Sequence, residues 1–398
     1  MKTKKICIVT TTSETINCFL LSQAGFLSQN GYDVTIVCND DPILKSMIPS
    51  EVTYFPVKMK RGIDGIGSLV SIYKLYYLFK IDKFDIVQYS TPNASMYASI
   101  ASFLAQTPIR LYCQWGIRYV GFQGLKRKIF KRLEKFVCNL STYIEPDSKG
   151  NLLFSHQEGL YKENKSKVVW NGSANGVDLN KFDVSSKQKW RGIIRKKYYV
   201  SAVDFVVGFV GRIDKDKGIN ELLSAFKVIS AKYTNIKLFI IGSKDLDEGI
   251  NEDLFSWSFS SDAVIYCGYT KNVEYYLAAL DLFILPSYRE GFGSGVIEAE
   301  AMGVPVIVSD IPGPTDAMQK GITGLVIPKG SSDHIVKAIE TCFKSPTMLS
   351  EMSKNAILFA DNKFDQDVLW KYILEDRNEL YRRFISTKKE KPYVKYSS

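Results

Sequence analysis

Short strand-like apolar runs alternate with longer stretches of helical periodicity along most of the chain. Each run is followed by Gly, Pro or polar residues and then by a helical pattern, which predicts strands that alternate with helices. This alternation is typical of parallel, doubly wound sheets. The predicted strands are Lys5–Val9, Val34–Cys38, Asp85–Tyr89 and Ile109–Cys113 in the first half of the chain, and Phe205–Val210, Lys237–Ile241, Ala263–Tyr266, Leu282–Leu285 and Val306–Ser309 in the second.

Two such series predict an α/β protein with two Rossmann-like domains whose sheets face an interdomain cleft. We place the boundary in the polar, basic segment 183–202, which gives domains at 1–185 and 186–364. A long helical pattern over 365–384 and a Lys-rich tail form a C-terminal element at 365–398. In open parallel sheets, ligands bind beyond the carboxyl ends of the strands. The informative residues should therefore lie directly after strands.

The composition is that of a globular protein: 398 residues, of which 45% are hydrophobic and 24% charged. Seven dispersed cysteines without a CxxC, and only two histidines (His156 and His334), argue against a zinc site and fit a reduced cytoplasm. The basic start resembles a signal peptide, but Glu14 and Asn17 interrupt its apolar run. The sequence contains no run of 18 apolar residues, so no transmembrane helix is predicted.

The net charge of +10 is unevenly distributed. Residues 1–200 hold 29 Lys and Arg against 15 Asp and Glu, whereas residues 201–398 hold 23 against 27. A basic N-terminal half suits a nucleic acid, an anionic lipid or a phosphorylated substrate. No motif that combines aromatic and basic residues for base stacking is present, so we expect no nucleic-acid partner.

The first chemical motif is the stretch 208–218, which precedes a predicted helix. Arg212 follows a buried strand and Lys217 lies at the start of that helix. Two cations beside a helix N-terminus suit a diphosphate, because cations and helix amides both stabilise negative charge. The alternative is a solvated turn with a salt-bridged arginine.

The second motif, 286–305, follows the strand Leu282–Leu285. Its glycines, which include Gly293 and Gly295, permit close approach of the backbone to a ligand, and a helix is predicted from Ser294 to Gly303. The amides of Gly295 and Val296 can donate to phosphate oxygens. Glu290 precedes this helix and Glu298 lies in its first turns. A carboxylate at such a position can accept hydrogen bonds from both hydroxyls of a ribose. The alternative is that Glu298 only stabilises the helix N-terminus.

These two motifs resemble those of glycosyltransferase family 4. The similarity rests on Gly211-Arg212, Lys217-Gly218, the pair Glu290 and Glu298 with seven residues between them, and the segments 175–178, 278–281 and 321–326. The resemblance is strong over about residues 170–345. It implies a GT-B fold, a retaining and metal-independent transfer from a nucleotide-sugar, and a last helix that crosses back to the N-terminal domain.

The same resemblance implies roles for individual residues. Arg212 and Lys217 would hold the donor diphosphate, Glu298 the ribose and Glu290 the transferred sugar. Contacts to the base would come from backbone groups near Gly268. We expect no cofactor and no divalent metal. The three D-x-D matches, at Asp214–Asp216, Asp245–Asp247 and Asp365–Asp367, are interpreted as chance, with Arg212 and Lys217 supplying the positive charge.

The acceptor side is predicted in the first domain. Thr91 and Asn93 follow one strand, and Trp115 and Arg118 follow another. The region is similar to bacterial transferases of surface polysaccharides, O-antigen and capsule. Many of these have a histidine where Trp115 stands, so no acceptor-aligning histidine is assigned. Arg118 pairs either with an acceptor diphosphate or with its own loop.

The segment 124–140 predicts a basic amphipathic helix with six Lys and Arg residues. Such a helix can lie on an anionic membrane. Alternatively, it packs its apolar stripe on the sheet and exposes its lysines.

Together with these patterns, the resemblance implies a retaining transferase that moves a sugar from a UDP-sugar, or another nucleotide-sugar, to an undecaprenyl-diphosphate-linked glycan for O-antigen or capsule. We expect it in the cytoplasm and peripherally on the inner membrane. The alternatives are a nucleotide-sugar epimerase of the same fold and a non-catalytic basic binding module.

Overall fold

A computed structural model describes residues 3–60, 62, 65–243 and 249–386 of the chain. These residues form two compact units. Among these residues, the first unit contains 3–147, 151–175 and 367–386, and the second contains 148–150 and 176–366. The chain thus enters the second unit ahead of segment 183–202 and returns to the first unit at the start of the last long helix.

The first unit contains a six-stranded sheet in which all neighbouring strands are parallel. The strand order is β3-β2-β1-β4-β5-β6. The strands are β1 (Lys4–Val9), β2 (Tyr32–Val37), β3 (Val52–Tyr54), β4 (Ile86–Tyr89), β5 (Ile109–Gln114) and β6 (Tyr143–Pro146). The helices are α1 (Ser13–Thr15), α2 (Leu21–Gln29), α3 (Pro42–Met47), α4 (Gly65–Asp82), α5 (Pro92–Leu104), α6 (Gly124–Leu140) and α7 (Lys149–Gln157), whose first two residues belong to the second unit.

The second unit repeats this plan with the order β12-β11-β10-β7-β8-β9, again entirely parallel. Its strands are β7 (Phe205–Val210), β8 (Ile236–Ile241), β9 (Val264–Gly268), β10 (Leu282–Leu285), β11 (Val306–Ser309) and β12 (Gly324–Ile327). Its helices are α8 (Lys187–Lys197), α9 (Ile219–Lys232), α10 (Glu252–Ser260), α11 (Val273–Ala279), α12 (Ser294–Ala301), α13 (Ser332–Lys344) and α14 (Pro346–Phe364). Helix α15 (Gln366–Tyr381) then returns the chain to the first unit.

The strands form where apolar residues are dense enough to be buried on both faces of a sheet, as parallel sheets require. In β1, Ile6 and Ile8 join one core cluster while Cys7 and Val9 join another, so the sheet has a core on each side. All nine predicted strands are present and the α/β prediction is confirmed. The three additional strands, β3, β6 and β12, are all at sheet edges, where short or Pro-containing segments are tolerated.

Each sheet reverses its strand order once, between β1 and β4 in the first unit and between β7 and β10 in the second. The connections that leave two such strands diverge, which opens a crevice at their carboxyl ends. The two predicted motifs follow β7 and β10, so both lie at this point of the second sheet. None of the helices in the described ranges is long and apolar enough to cross a bilayer.

Candidate functional site

The loop after β7 is shaped by Asp214. Its carboxylate accepts the backbone N–H of Lys217 at 3.0 Å and lies 2.9 Å from a guanidinium nitrogen of Arg212. The bond from the Lys217 amide to Asp214 caps a single 3₁₀ turn, Lys215–Lys217, directly before α9. The Asp214 side chain is buried, whereas Arg212 is exposed. The buried acid therefore fixes the loop and leaves the Arg212 side chain accessible at the carboxyl end of the sheet.

Lys217 and Glu290 meet directly. The Lys217 Nζ lies 2.5 Å from Oε1 of Glu290, and the Ser287 hydroxyl donates to the same oxygen at 2.7 Å. Both charged side chains are mostly shielded from solvent. The structure therefore joins a cation from the first motif to an acid from the second.

The two loops are further held together by neighbouring contacts. The Arg289 guanidinium donates from Nε and Nη2 to one oxygen of Asp216, at 2.9 and 2.6 Å. Gly218 adopts φ +72°, and a Cβ there would lie 2.2 Å from the carbonyl oxygen of Pro286. Only glycine permits this backbone approach. The positions of Lys217 and Glu290 thus depend on a tight seam between the β7 and β10 loops.

Helix α12 begins at Ser294 as predicted, after Gly293 in the left-handed region at φ +86°. Gly295 lies in its first turn, where helix amides have no intrahelical acceptor. Val296 differs, because its side chain is buried and its amide donates to the Gly293 carbonyl at 2.8 Å. A phosphate would have to displace that bond to use the Val296 amide.

Glu298 lies in the middle of α12 and is partly buried. No hydrogen bond from the described residues reaches its carboxylate. Desolvation raises the pKa of Glu298 to about 7, the Lys181 ammonium opposes this, and the nearby Glu274 carboxylate adds to it. Lys181 and Glu274 pair with each other at 3.7 Å. Within the described part of the chain, Glu298 thus has no hydrogen-bond donor, and its carboxylate oxygens are available as acceptors.

Gly268 ends β9 and lies in the left-handed region at φ +74°, with open space where a Cβ would stand. Its carbonyl accepts the N–H of Gly242, which follows the neighbouring strand β8, at 3.0 Å. Gly268 therefore lies on the carboxyl edge of the same sheet, but two strands away from β7.

In the first unit, Thr91 occupies the corresponding switch point. It has φ +66°, which is strained for a β-branched residue. Its hydroxyl lies 2.8 Å from that of Thr11 and accepts the Thr11 N–H at 3.0 Å. The Thr11 hydroxyl accepts the N–H of Ala94 in α5. Thr91 is thus brought to the loop that follows β1.

The other predicted acceptor residues make intramolecular contacts in the first unit. The Asn93 amide donates to the carbonyls of Lys60 and Gly62, at 2.6 and 2.7 Å, and so holds the segment before α4. The Arg118 guanidinium stacks over the Phe130 ring at 5.2 Å. The ring of Trp115 lies 6.0 Å from that of Phe19. Each of these three side chains thus has a neighbour of its own in the first unit.

The first D-x-D match and both histidines have defined surroundings. Asp214 and Asp216 bind the loop cations described above, and Asp245–Asp247 lies outside the described residues. His156 contacts the Ser166 hydroxyl at 3.1 Å and His334 that of Ser331 at 2.7 Å. Within the described ranges, no three His, Cys, Asp or Glu side chains form a cluster that could hold a metal ion.

Some residues that shape the site were not predicted. The sequence predicts Asp214 and Asp216 only as a chance D-x-D match, and it predicts no role for Ser287 or Arg289. An Asp three residues before the Lys217 amide is a capping signal that the sequence does contain. The contact of Arg289 with Asp216 depends on the pairing of β7 with β10, which sequence patterns do not specify. Ser287 contacts Glu290 within one loop, three residues away.

Comparison with known proteins identifies the family of the chain. Residues 191–359 match the family model of glycosyl transferases group 1, and residues 5–148 match a glycosyl transferase 4-like model. The capsular polysaccharide biosynthesis glycosyltransferase CapM of Staphylococcus aureus is 32% identical over 97% of this chain and 98% of its own length.

Two further proteins are similar over most of the chain. The UDP-Gal:alpha-D-GlcNAc-diphosphoundecaprenol alpha-1,3-galactosyltransferase of Escherichia coli is 25% identical over 84% of this chain and 86% of its own. The structure of HepE from Anabaena, in complex with UDP and glucose, superposes with a TM-score of 0.77 at 20% identity and covers 94% of this chain and 100% of HepE. The fold is thus GT-B. The chain belongs to glycosyltransferase family 4 and is a glycosyltransferase of the capsule and O-antigen type.

Proposed function

We propose that this enzyme transfers a sugar from a UDP-sugar to a saccharide linked to undecaprenyl diphosphate, with retention of anomeric configuration and without a divalent metal. The observation that carries the proposal is the meeting of Lys217 with Glu290, beside Arg212, at the switch point of the second sheet. The name of the Escherichia coli relative, which contains UDP-Gal and a diphosphoundecaprenol acceptor, supports this choice of donor and acceptor.

In this proposal the donor diphosphate binds against Arg212, Lys217 and the first turn of α12. Glu298 accepts the ribose hydroxyls, and backbone groups near Gly268 contact the base. Glu290 accepts hydroxyls of the sugar to be transferred, while Ser287 keeps its carboxylate oriented. An acid in this position selects the sugar and orients it towards the acceptor.

The acceptor hydroxyl oxygen forms a bond to the anomeric carbon as the bond from that carbon to the diphosphate oxygen breaks. The electron pair of the broken bond remains on UDP, where Arg212 and Lys217 stabilise the added negative charge. The proton of the acceptor hydroxyl passes to an oxygen of the donor phosphate. This assignment of the base follows the family resemblance alone.

Metal independence rests on the contacts of the first D-x-D. The Asp214 carboxylate binds Arg212 and the Lys217 amide, and Asp216 binds Arg289 through two nitrogens. These carboxylates stabilise the loop that carries the cations. We propose that the cations take the role of the metal, and that the enzyme works peripherally at the cytoplasmic face of the inner membrane.

The test is a panel of UDP-, GDP- and ADP-sugars, incubated with a synthetic undecaprenyl-diphosphate saccharide in the presence and absence of EDTA. We expect one UDP-sugar to release UDP, with product of retained configuration by NMR and with an EDTA-insensitive rate. Lys217→Ala should lose most activity, whereas Lys215→Ala, an exposed lysine of the same turn, should retain it.

Three results would contradict the proposal. Isomerised nucleotide-sugar without UDP release would indicate an epimerase, and binding without turnover would indicate a binding module. An equal loss of activity in Lys217→Ala and Lys215→Ala would remove Lys217 from the site.

A further inference from the structure

The outer face of α4 carries a continuous row of exposed apolar side chains. They recur every three or four residues, over about 22 Å of helix at 1.5 Å per residue. Ile66 is 81% exposed and Tyr73 is 65% exposed. The opposite face of the helix, which includes Leu75 and Phe79, is buried in the core. The exposed row is Ile66, Leu69, Val70, Tyr73, Tyr77 and Ile81.

Helix α6 also has two apolar faces. One face, which includes Val137 and Cys138, is buried. The other is exposed and consists of Leu125, Ile129, Leu133 and Phe136. The helix thus packs on the domain through one apolar face and still presents a second apolar stripe.

A basic stripe lies beside this exposed apolar stripe of α6. At 100° per residue, Lys128, Lys131, Arg132 and Lys135 fall in the adjoining sector of the helix. Glu158 binds Lys131 at 2.8 Å. For Lys128, Arg132 and Lys135, no carboxylate of the described part of the chain lies within ion-pair distance. Three cations beside the stripe are therefore not neutralised by a described neighbour.

The two helices belong to one layer. Side chains of α4, α5 and α6 contribute to a single core cluster on one side of the first sheet, and α5 packs against both other helices. The exposed faces of α4 and α6 therefore both point away from that sheet. Phe103 and Leu104, at the end of α5, are exposed as well. We call the exposed residues of these helices the α4–α6 surface.

We propose that the α4–α6 surface binds an anionic lipid bilayer, with the apolar row of α4 inserted among the headgroups and the basic stripe of α6 against anionic phosphates. Exposed apolar patches of this kind mark interaction sites. Tyr73 and Tyr77 suit a bilayer interface, since each has an apolar ring and a polar end. The inference rests on the proposed function, which places the acceptor in a membrane.

A second copy of this chain is the competing occupant. In a two-fold dimer the same patch meets itself, so the basic stripes would approach each other or remain at the edge without a counter-charge. An anionic bilayer instead complements the apolar row and the cations together. The charge pattern therefore favours lipid.

The experiment is co-sedimentation of the full-length protein with vesicles of phosphatidylethanolamine and phosphatidylglycerol, and with vesicles of phosphatidylcholine alone. We expect binding to the anionic vesicles. The variant L69S/Y73S/Y77S should bind them at least tenfold more weakly, and K128Q/R132Q/K135Q should lose the preference for anionic lipid. Matched exposed sites in the second unit serve as controls, in the variants V228S/F259S/L358S and K227Q/K337Q/K354Q, which should bind as wild type does.

The outcomes separate the two proposals. Transfer to a water-soluble, short-chain diphosphate acceptor should be unchanged in L69S/Y73S/Y77S, because these side chains lie on an outer helix face. Absence of transfer by the wild type to any acceptor, with vesicle binding intact, would overturn the proposed function alone. Wild-type vesicle binding by L69S/Y73S/Y77S would overturn the membrane surface. A wild-type dimer that this variant converts to a monomer would also overturn it.

Discussion

The Nζ of Lys217 and Oε1 of Glu290 lie 2.5 Å apart, although the two residues are 73 positions apart in the chain. One was predicted to meet the donor diphosphate and the other the transferred sugar. Because each side chain is less than about a quarter exposed, neither charge is well solvated on its own, and each compensates the other. A diphosphate that binds Lys217 must therefore compete with Glu290.

This competition predicts opposite effects on nucleotide binding. In Glu290→Gln the lysine loses its anionic partner, so we expect UDP to bind up to about tenfold more tightly while turnover falls at least 100-fold, since a tenfold change in affinity corresponds to about 1.4 kcal/mol. In Lys217→Met, UDP affinity should fall about 10- to 100-fold. Isothermal titration with UDP and a transfer assay measure the two quantities. Weaker UDP binding by Glu290→Gln would show that the pair does not compete with the ligand.

The pKa of Glu298 predicts a pH dependence of donor binding. Burial raises this pKa to about 7, so the group is mostly neutral at pH 6 and mostly ionised at pH 8. An ionised carboxylate accepts hydrogen bonds from hydroxyls more strongly than a neutral acid does. The affinity for a UDP-sugar should therefore rise from pH 6 to pH 8, and the rise should be absent in Glu298→Gln.

Glu274→Gln provides a matched test of the same pKa. The Glu274 carboxylate raises the pKa of Glu298 and the Lys181 ammonium lowers it. Removing the Glu274 charge should move the rise in affinity to lower pH. An unchanged midpoint in Glu274→Gln, or the same pH profile in Glu298→Gln as in wild type, would exclude Glu298 as the titrating group.

The close approach of Gly218 to Pro286 predicts that the seam between the β7 and β10 loops is sensitive to substitution. In Gly218→Ala the new Cβ would lie 2.2 Å from the Pro286 carbonyl oxygen, so the β10 loop that carries Glu290 must shift. We expect at least a tenfold loss of kcat/KM in addition to reduced stability. Gly321→Ala is the control, because Gly321 also has a positive φ, at +76°, but has open space at the Cβ position. Its cost should be limited to about 1–2 kcal/mol of backbone strain. An equal loss of kcat/KM in both variants would argue against the seam.

The sequence was sufficient to place both motifs because each directly follows a strongly apolar buried strand. Arg212 follows β7 and Glu290 follows β10. Such strongly apolar strands are recognisable in the sequence without a structure. The pairing of Lys217 with Glu290, and of Asp216 with Arg289, could not be derived in this way. Both contacts exist because β7 and β10 are neighbours in the sheet, which is a property of topology and not of local pattern.

The exposed surfaces of α4 and α6 illustrate a second limit. A helix that is apolar on two faces has no single polar side from which burial can be assigned. The pattern of α4 could therefore not distinguish Leu75, which is buried, from Tyr73, which is exposed. Only packing against the sheet determines which face is covered. For the same reason, segment 124–140 left two alternatives open.

Arg377 of α15 predicts a large and pH-dependent effect on stability. Its guanidinium is fully buried in the first unit, contacts Glu145 and Asp376, and donates to the side-chain oxygen of Gln88 at 3.2 Å. Removal of one partner from a buried ionic cluster leaves uncompensated charge, so Arg377→Leu should lower the free energy of unfolding by about 3–5 kcal/mol. Urea unfolding measures this change, with the exposed Arg382→Leu as control.

The pH dependence of this loss follows from Asp376. Burial raises the pKa of Asp376 to about 6, and Arg377 opposes that rise. Without the arginine the pKa should rise further, so the carboxyl is neutral at pH 5. At pH 8 it must either keep its proton or carry a buried charge whose remaining cationic partner is Lys167, 4.0 Å away. The destabilisation of Arg377→Leu should therefore be larger at pH 8 than at pH 5, and a second substitution, Asp376→Asn, should recover part of it. If the loss of stability is the same at both pH values and Asp376→Asn recovers none of it, the arginine acts by packing alone.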